Sequence, residues 1–189
     1  MKRVLALAAS PRRGGNSESL LDEFLVGLTK AGGSFEKVVL PDLAIAPCRE
    51  DHHCLRTGEC SIRDDAGELF RKILEAEKIV LASPVFFYAL PAQLKALVDR
   101  VELYFIRKYS LKQSIPGVPR HAFVIMVGAT EGERTFEGSF VTLKEFFSIL
   151  NANISGRLTF RGIEKTDDLK KRPGHLADAR AAGAKFVEV

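Results

Sequence analysis

The chain has 189 residues, of which 46% are hydrophobic and 28% charged, values typical of one soluble domain with a sizeable core. Its net charge of +4 is dispersed, and the densest basic run, residues 170–172, has no interleaved aromatic residues, which argues against nucleic-acid binding. No segment approaches the roughly 20 apolar residues of a membrane span. Three cysteines within residues 48–60 do not make the disulfide framework of a secreted protein. We therefore expect a cytoplasmic protein without membrane contact.

Short apolar strands alternate along the chain with amphipathic helices. The predicted strands comprise residues 4–9, 35–40, 79–82, 122–127 and 154–160. The predicted helices comprise residues 17–31, a segment capped by Asp64 and Asp65, a segment starting at Pro91, residues 140–150 and residues 176–186. Residues 41–63 form a long irregular segment that contains the cysteines. No internal linker divides the chain, so we expect a single domain over residues 1–189, with a cysteine-containing loop at 41–63.

The helix that starts at Pro91 has an apolar stripe wider than one core contact needs. Its regular positions are Leu94, Leu97, Val98, Val101 and Phe105. Three further apolar residues, Leu90, Leu103 and Tyr104, fall outside that stripe. We interpret them as a second buried face that helps to form a dimer, the alternative being a core helix with one irregular edge.

The alternation of strands and helices predicts an α/β fold with a parallel sheet covered on both faces. Ligands of such sheets bind at the carboxyl ends of the strands, where the strand order reverses. The loops after the first, third and fourth strands would all lie at that edge. We therefore expect the loops that begin at Ser10, Ser83 and Gly128 to line one pocket.

The first of these loops, residues 10–17, reads Ser-Pro-Arg-Arg-Gly-Gly-Asn-Ser between a strand and a helix. The unpaired N–H groups of a first helical turn, together with the helix dipole, favour an anion there. Ser10, Ser17, Asn16 and Arg12 add side-chain donors suited to phosphate oxygens. The loop matches neither the P-loop nor the dinucleotide fingerprint, and a turn followed by a helix N-cap is the alternative interpretation.

The loop after the third strand is apolar and aromatic. Pro84 fixes its path, and Phe86, Phe87 and Tyr88 follow, a composition that suits a flat, partly apolar ring system. A phosphate at one end of a pocket and a planar heterocycle at the other describe a mononucleotide, and flavin mononucleotide (FMN) fits well. Core packing or a subunit interface is the alternative for Phe87 and Tyr88.

Three motifs together resemble the NADPH-dependent FMN reductase family, and within it the iron–sulfur flavoproteins. They are residues 10–17, the Ser-Pro-Val-Phe-Phe run at 83–87 and the Leu-Lys-Ala-Leu-Val-Asp-Arg run at 94–100. The resemblance implies a flavodoxin-like three-layer sandwich with five parallel strands in the order 2-1-3-4-5. It also implies tightly but non-covalently held FMN, and homodimers or homotetramers with the flavin near a subunit interface.

The same resemblance implies which residues hold the cofactor. The phosphate would be held by Ser10, Arg12, Asn16 and Ser17. The isoalloxazine ring would be held by Pro84, Val85, Phe86 and Phe87, with Gly128 and Ala129 closing over it.

The iron–sulfur branch carries four closely spaced cysteines, and this chain matches three of the four positions. Cys48, Cys54 and Cys60 occupy the first, third and fourth positions, and Asp51 occupies the second. Because iron–sulfur clusters are typically held by four thiolates, the missing cysteine weakens the prediction of such a cluster. A zinc site completed by His52 or His53 and three free cysteines are the alternatives.

The motifs favour an enzyme in which FMN receives electrons from NAD(P)H and passes them to a small acceptor such as a quinone or a flavin. The alternative is an electron-transfer protein that exchanges electrons with a ferredoxin-like partner through a cluster. A flavodoxin-type shuttle and a nucleotide-binding module without redox activity are further alternatives. We assign no catalytic side chain, since the cofactor carries the chemistry. Arg107, Lys108 and Arg134 are candidates for attracting the phosphates of the nicotinamide nucleotide.

Overall fold

A computed structural model describes residues 3–189 as a five-stranded parallel sheet with helices on both faces. The strands are β1 (Arg3–Ala8), β2 (Ser34–Val39), β3 (Lys78–Pro84), β4 (Arg120–Val127) and β5 (Ala152–Phe160). Every neighbouring pair is parallel and the order is β2-β1-β3-β4-β5. The predicted fold class and strand order are therefore confirmed.

The helices follow the predicted order, with small shifts at their ends. They are α1 (Asn16–Lys30), α2 (His53–Thr57), α3 (Asp65–Glu75), α4 (Ala92–Asp99), α5 (Glu102–Phe105), α6 (Glu137–Ile149) and α7 (Pro173–Phe186). The short helix α2 lies inside the segment that the sequence predicts to be irregular. Within residues 3–189, no helix is both long and apolar enough to cross a bilayer.

The strand residues alternate between two apolar cores, one on each face of the sheet. Leu5 and Leu7 of β1 point into the core covered by α3, α4 and α6, whereas Val4 and Ala6 point into the core covered by α1 and α7. Helices bury both faces of the central strands β1, β3 and β4, which explains why these strands consist of continuous apolar residues rather than alternating ones. This three-layer packing fixes the carboxyl ends of β1, β3 and β4 at one edge.

The helix predicted from Pro91 to Phe105 is interrupted in the structure. Helix α4 ends at Asp99, α5 follows, and Ile106–Ser110 form one turn of π-helix. Leu90 and Tyr104 are buried in the core under α3 and α4, and Leu103 packs against it, whereas Phe105 is 42% exposed. The second apolar face is thus covered by this chain itself, and its assignment to a dimer contact is corrected.

Candidate functional site

The loops after β1, β3 and β4 leave the sheet at the same edge. The strand register aligns Ala8 with Ala82, and Pro84 with Val127. The N–H of Ala9 donates to the carbonyl oxygen of Ala82 at 2.8 Å, and that of Val85 donates to Val127 at 2.8 Å. The expected convergence of these loops is therefore observed.

Residues 10–15 form a tight turn, here called the first loop, that ends at the N-terminus of α1. The Ser10 hydroxyl oxygen accepts the Arg12 N–H at 3.1 Å, and the Arg12 carbonyl oxygen accepts the Gly15 N–H at 3.3 Å. Gly14 adopts the left-handed region at φ 62°, which glycine tolerates without strain. Helix α1 begins at Asn16 with no side-chain cap. Its first N–H groups consequently remain available to an anionic ligand.

A buried carboxylate, Glu18, lies beside this loop. It accepts the Gly14 N–H at 2.8 Å and pairs with Lys37 at 2.9 Å and with Arg13 at 3.6 Å. Burial would raise the pKa of Glu18, but the hydrogen bonds from Lys37 and Gly14 outweigh it and hold the pKa below its usual value. Glu18 therefore stays ionised and fixes the outer side of the first loop.

The two arginines of the loop differ in their partners. Arg13 pairs with Asp42 at 2.6 Å as well as with Glu18, so two carboxylates already balance its charge. Among the described residues, Arg12 has no carboxylate partner, and its guanidinium donates to the carbonyl oxygen of Glu164 at 3.3 Å. The sequence analysis names Arg12 and not Arg13 as a phosphate donor, and the structure leaves the Arg12 guanidinium without a carboxylate partner among residues 3–189.

A segment that sequence reasoning did not single out, residues 163–165, covers the loop. The Asn16 amide NH₂ group, which we expected to face a phosphate, donates instead to the Lys165 carbonyl oxygen at 3.0 Å. Asn16 Oδ1 is buried and has no hydrogen-bond partner among the described residues. A buried polar atom without a partner is costly, so this oxygen marks a position where a ligand hydroxyl fits. No sequence motif in residues 163–165 indicates this role, because only their main chain takes part.

The loop after β3 forms a two-residue hairpin, residues 86–89. Phe86 and Ala89 exchange main-chain hydrogen bonds of 3.0 Å. Phe87 and Tyr88 adopt the left-handed region at φ 49° and 62°, a strained conformation for aromatic residues. Phe87 is fully exposed, and Phe86 and Tyr88 are about half exposed. The hairpin is therefore not core packing, and it presents an aromatic surface at the sheet edge.

The loop after β4 connects the hairpin with the first loop. A Cβ on Gly132 would lie 3.3 Å from the Tyr88 hydroxyl oxygen. The Gly128 carbonyl oxygen accepts the Ile163 N–H at 3.1 Å, and the next two residues, Glu164 and Lys165, contact the first loop. Gly128 is buried, and Ala129 beside it is exposed. Residues 163–165 thus join the loop after β4 to Arg12 and Asn16, and Gly132 of the same loop lies beside the hairpin.

The cysteine loop, residues 46–62, is anchored by a buried arginine that the sequence does not distinguish. Arg100 is 5% exposed, pairs with Asp64 at 2.8 Å, and donates to the carbonyl oxygens of Ala46 at 3.0 Å and Ile62 at 3.3 Å. Burial favours the neutral acid of Asp64, but hydrogen bonds from Arg100 and from main-chain N–H groups hold its pKa below the usual value. Arg100, held in place by its ion pair with Asp64, therefore connects the two ends of the loop.

All three cations proposed for nicotinamide phosphates have partners within the protein. Arg107 donates to the carbonyl oxygen of Gly58 at 2.7 Å, inside the cysteine loop. Arg134 is exposed and pairs with Glu137 at 2.5 Å. Lys108 lies 3.4 Å from Asn151 Oδ1. Arg107 is therefore a loop anchor, while a nucleotide-binding role for Lys108 and Arg134 stays a prediction.

Cys48, Cys54 and Cys60 line one cavity of about 350 Å³, together with Asp51 and Arg100. Burial raises the pKa of the Cys54 thiol. Within residues 3–189, no three side chains of His, Cys, Asp or Glu are arranged to hold a metal ion. A cluster needs four thiolates and the chain has three cysteines, so the residues present do not fit a four-thiolate cluster.

The sequence matches known flavin proteins over nearly its whole length. Residues 2–159 match the family model described as NADPH-dependent FMN reductase. The iron-sulfur flavoprotein MJ1083 of Methanocaldococcus jannaschii is 39% identical over 196 residues, which cover 99% of this chain and 96% of that protein.

Solved structures with low sequence identity share the fold. An FMN-dependent NADH-azoreductase from Bacillus anthracis, solved in complex with FMN, superposes with a TM-score of 0.75 at 16% identity, over 98% of this chain and 99% of that chain. The NAD(P)H:quinone oxidoreductase from Methanothermobacter marburgensis superposes with a TM-score of 0.73 at 22% identity, over 97% and 95% of the two chains. These likenesses support the assignment of the fold.

Proposed function

The chain belongs to the NADPH-dependent FMN reductase family, and we propose that within it this protein uses FMN to pass electrons from NAD(P)H directly to a small oxidant, such as a quinone or a free flavin. Membership makes it an FMN-dependent NAD(P)H oxidoreductase, as the motifs predict. The choice of a small acceptor over a protein partner is our proposal. When bound, FMN supplies the redox chemistry, and the protein supplies binding, orientation and electrostatics.

The first loop suits the phosphate end of FMN. The N–H groups at the start of α1 and the Arg12 guanidinium supply positive potential, and Ser17 adds a hydroxyl in the first turn of α1. The Ser10 hydroxyl donates to the Arg12 carbonyl oxygen at 3.1 Å, so in this structure it shapes the turn, and it would have to rotate to donate to a phosphate. Asn16 Oδ1, buried without a partner among residues 3–189, would accept a hydrogen bond from a ligand hydroxyl. These donors and this acceptor fit a phosphate joined to a polyol chain.

The hairpin and the loop after β4 suit the ring end. Pro84 and Val85 are half-buried at the end of β3, and Phe86 and Phe87 continue into solvent. Gly128 and Ala129 follow directly after β4, whose last residue, Val127, pairs with Pro84. An apolar surface with main-chain hydrogen-bonding groups along its edge can orient a flat heterocycle while leaving one face of the ring open to small molecules.

The observation that carries the proposal is the contact series joining these two ends. The loop after β4 lies between an anion cradle at the first loop and an exposed aromatic hairpin at residues 86–89. It contacts the cradle through Gly128 and residues 163–165, and Gly132 lies beside Tyr88 of the hairpin. A site with an anionic end and a planar end at one sheet edge suits a mononucleotide. The open hairpin favours direct access by a small oxidant.

The second candidate is electron transfer through an iron–sulfur cluster to a protein partner. The identity of 39% to a protein named iron-sulfur flavoprotein favours it. The set of three cysteines, with Asp51 at the remaining position, counts against it.

Anaerobic purification followed by absorbance spectroscopy, iron analysis and addition of NADPH or NADH distinguishes the two. We expect a yellow protein whose flavin bleaches with NAD(P)H and recovers on addition of a quinone, without bound iron. Flavin that stays oxidised with both nucleotides but is reduced by a ferredoxin would contradict the proposal. Sedimentation of the same sample measures the predicted homodimer or homotetramer.

A further inference from the structure

Three side chains cross-link the cysteine loop. Arg100 joins its two ends by donating to the carbonyl oxygens of Ala46 and Ile62. Arg107 holds its far turn through the Gly58 carbonyl oxygen at 2.7 Å. Asp51 spans the middle. These contacts restrain the start, the middle, the far turn and the end of the loop.

Both carboxylate oxygens of Asp51 are engaged within the loop. Oδ2 accepts a hydrogen bond from the Ser61 hydroxyl at 2.5 Å, and Oδ1 accepts the His53 N–H at 3.0 Å. The first bond links residues ten apart in sequence, and the second lies at the first turn of α2. Asp51 therefore connects the start of that helix with the end of the loop.

The position of Asp51 makes this arrangement informative. It stands between Cys48 and Cys54, with the same spacing to each, and so occupies the place of a fourth ligand beside three thiols. A carboxylate is a hard ligand and poorly suited to iron–sulfur chemistry. To bind iron, Asp51 would have to use carboxylate oxygens that already accept hydrogen bonds from Ser61 and His53.

We propose that Asp51 is a structural cross-link of the cysteine loop in the place of a fourth ligand, and that Asp51, Arg100 and Arg107 hold the loop in its fold without metal. The loop then adopts the same structure in FMN-loaded, iron-free protein, and its three thiols stay free. This inference concerns the loop alone and is independent of which acceptor takes the electrons.

Two substitutions separate a hydrogen-bonding role from a ligand role. Asp51→Asn keeps one oxygen for the His53 N–H and an NH₂ group that can donate to the Ser61 oxygen, but it removes the carboxylate that iron would need. Asp51→Ala removes both bonds. Ser61→Ala removes one bond while leaving Asp51 in place, which covers the case that Asp51→Ala does not fold.

The measurements are iron content and hydrogen exchange of the His53 amide in FMN-loaded protein, purified anaerobically and incubated with ferrous iron and sulfide. We expect no stoichiometric iron in any variant, and wild-type exchange in Asp51→Asn. In Asp51→Ala, exchange should be about three- to tenfold faster, in line with the loss of one hydrogen bond. Ser61→Ala should change exchange in the same direction by a smaller factor.

Two results would overturn the proposal. One is wild-type protein that holds about four irons per chain and loses them in Asp51→Asn, since Asp51 would then be a ligand. The other is iron-free protein in which neither Asp51→Ala nor Ser61→Ala changes the exchange, since Asp51 would then hold nothing together. Flavin bleaching by NAD(P)H in the same samples tests the proposed function separately.

Discussion

Replacing the two neighbouring arginines of the first loop, one at a time, gives the sharpest test of the phosphate site. Arg12→Ala removes a guanidinium whose recorded partner is the Glu164 carbonyl oxygen at 3.3 Å. Arg13→Ala removes one that already pairs with Asp42 and Glu18. The two residues are adjacent, both exposed and identical in chemistry, so each is the control for the other.

The expected effect on FMN affinity differs strongly between them. A hydrogen bond to a charged group contributes about 1.5–3 kcal/mol, which corresponds to about a 10- to 150-fold change in Kd. Because Arg12 is exposed and screened by solvent, we expect Arg12→Ala to raise the Kd of FMN by about 10- to 30-fold. Arg13 forms surface ion pairs that contribute about 0–1 kcal/mol, so Arg13→Ala should change the Kd by less than about fivefold.

The assay is titration of flavin-free protein with FMN, followed by quenching of flavin fluorescence. Thermal unfolding of the flavin-free variants shows whether either substitution affects folding; we expect both melting temperatures to stay close to that of the wild type. Equal weakening by both substitutions, or a larger effect of Arg13→Ala, would refute the assignment of Arg12 to the phosphate.

Three further substitutions test the structure around the site. Asp64→Asn breaks the buried pair with Arg100 and should lower the free energy of unfolding by about 3 kcal/mol at neutral pH. Since the folded pKa of Asp64 is lowered, the wild type has this extra stability above the unfolded pKa of about 3.9 and loses it as the pH falls through the folded pKa. Urea unfolding at pH 7 and pH 3 should therefore show a smaller stability difference between the wild type and Asp64→Asn at pH 3. A difference that stays constant would contradict the role of this ion pair. Gly128→Ala places a Cβ 2.6 Å from a Thr135 methyl group. It should lower the free energy of unfolding by about 1–3 kcal/mol and weaken FMN retention, which melting temperature and flavin content measure. Unchanged flavin content would show that this loop does not border the cofactor. Gly183→Ala makes a methyl group overlap a main-chain carbonyl oxygen of α1. It should lower the melting temperature without changing the Kd of FMN for the folded protein. An unchanged melting temperature would contradict the tight contact of α1 with α7.

The apolar pattern was sufficient to predict the sheet. The central strands are short runs of buried residues, and the helices have apolar residues at helical spacing, so their order required a parallel sheet with both faces covered. The family resemblance supplied the strand order, and the pairing confirms it. The position of the three loops at one edge follows from that order alone.

Helix packing was less predictable, as residues 103–105 show. Leu103, Tyr104 and Phe105 have similar apolar character, but Tyr104 is buried and Phe105 is 42% exposed. Helix α4 ends at Asp99 and α5 begins at Glu102. A sequence window assumes one continuous helix and does not reveal this interruption.

A strand, a loop rich in Gly, Ser and Arg, and a helix predict an anion site from the sequence, because these properties are local. Tertiary contacts were needed to show that Arg13 pairs with Asp42, whereas Arg12 contacts the Glu164 carbonyl oxygen. The tertiary structure also placed residues 163–165 over Asn16 and made Arg100 the anchor of the cysteine loop. Each of these outcomes depends on a contact between residues far apart in sequence, and charge or hydrogen-bonding capacity alone does not reveal which partner a side chain reaches.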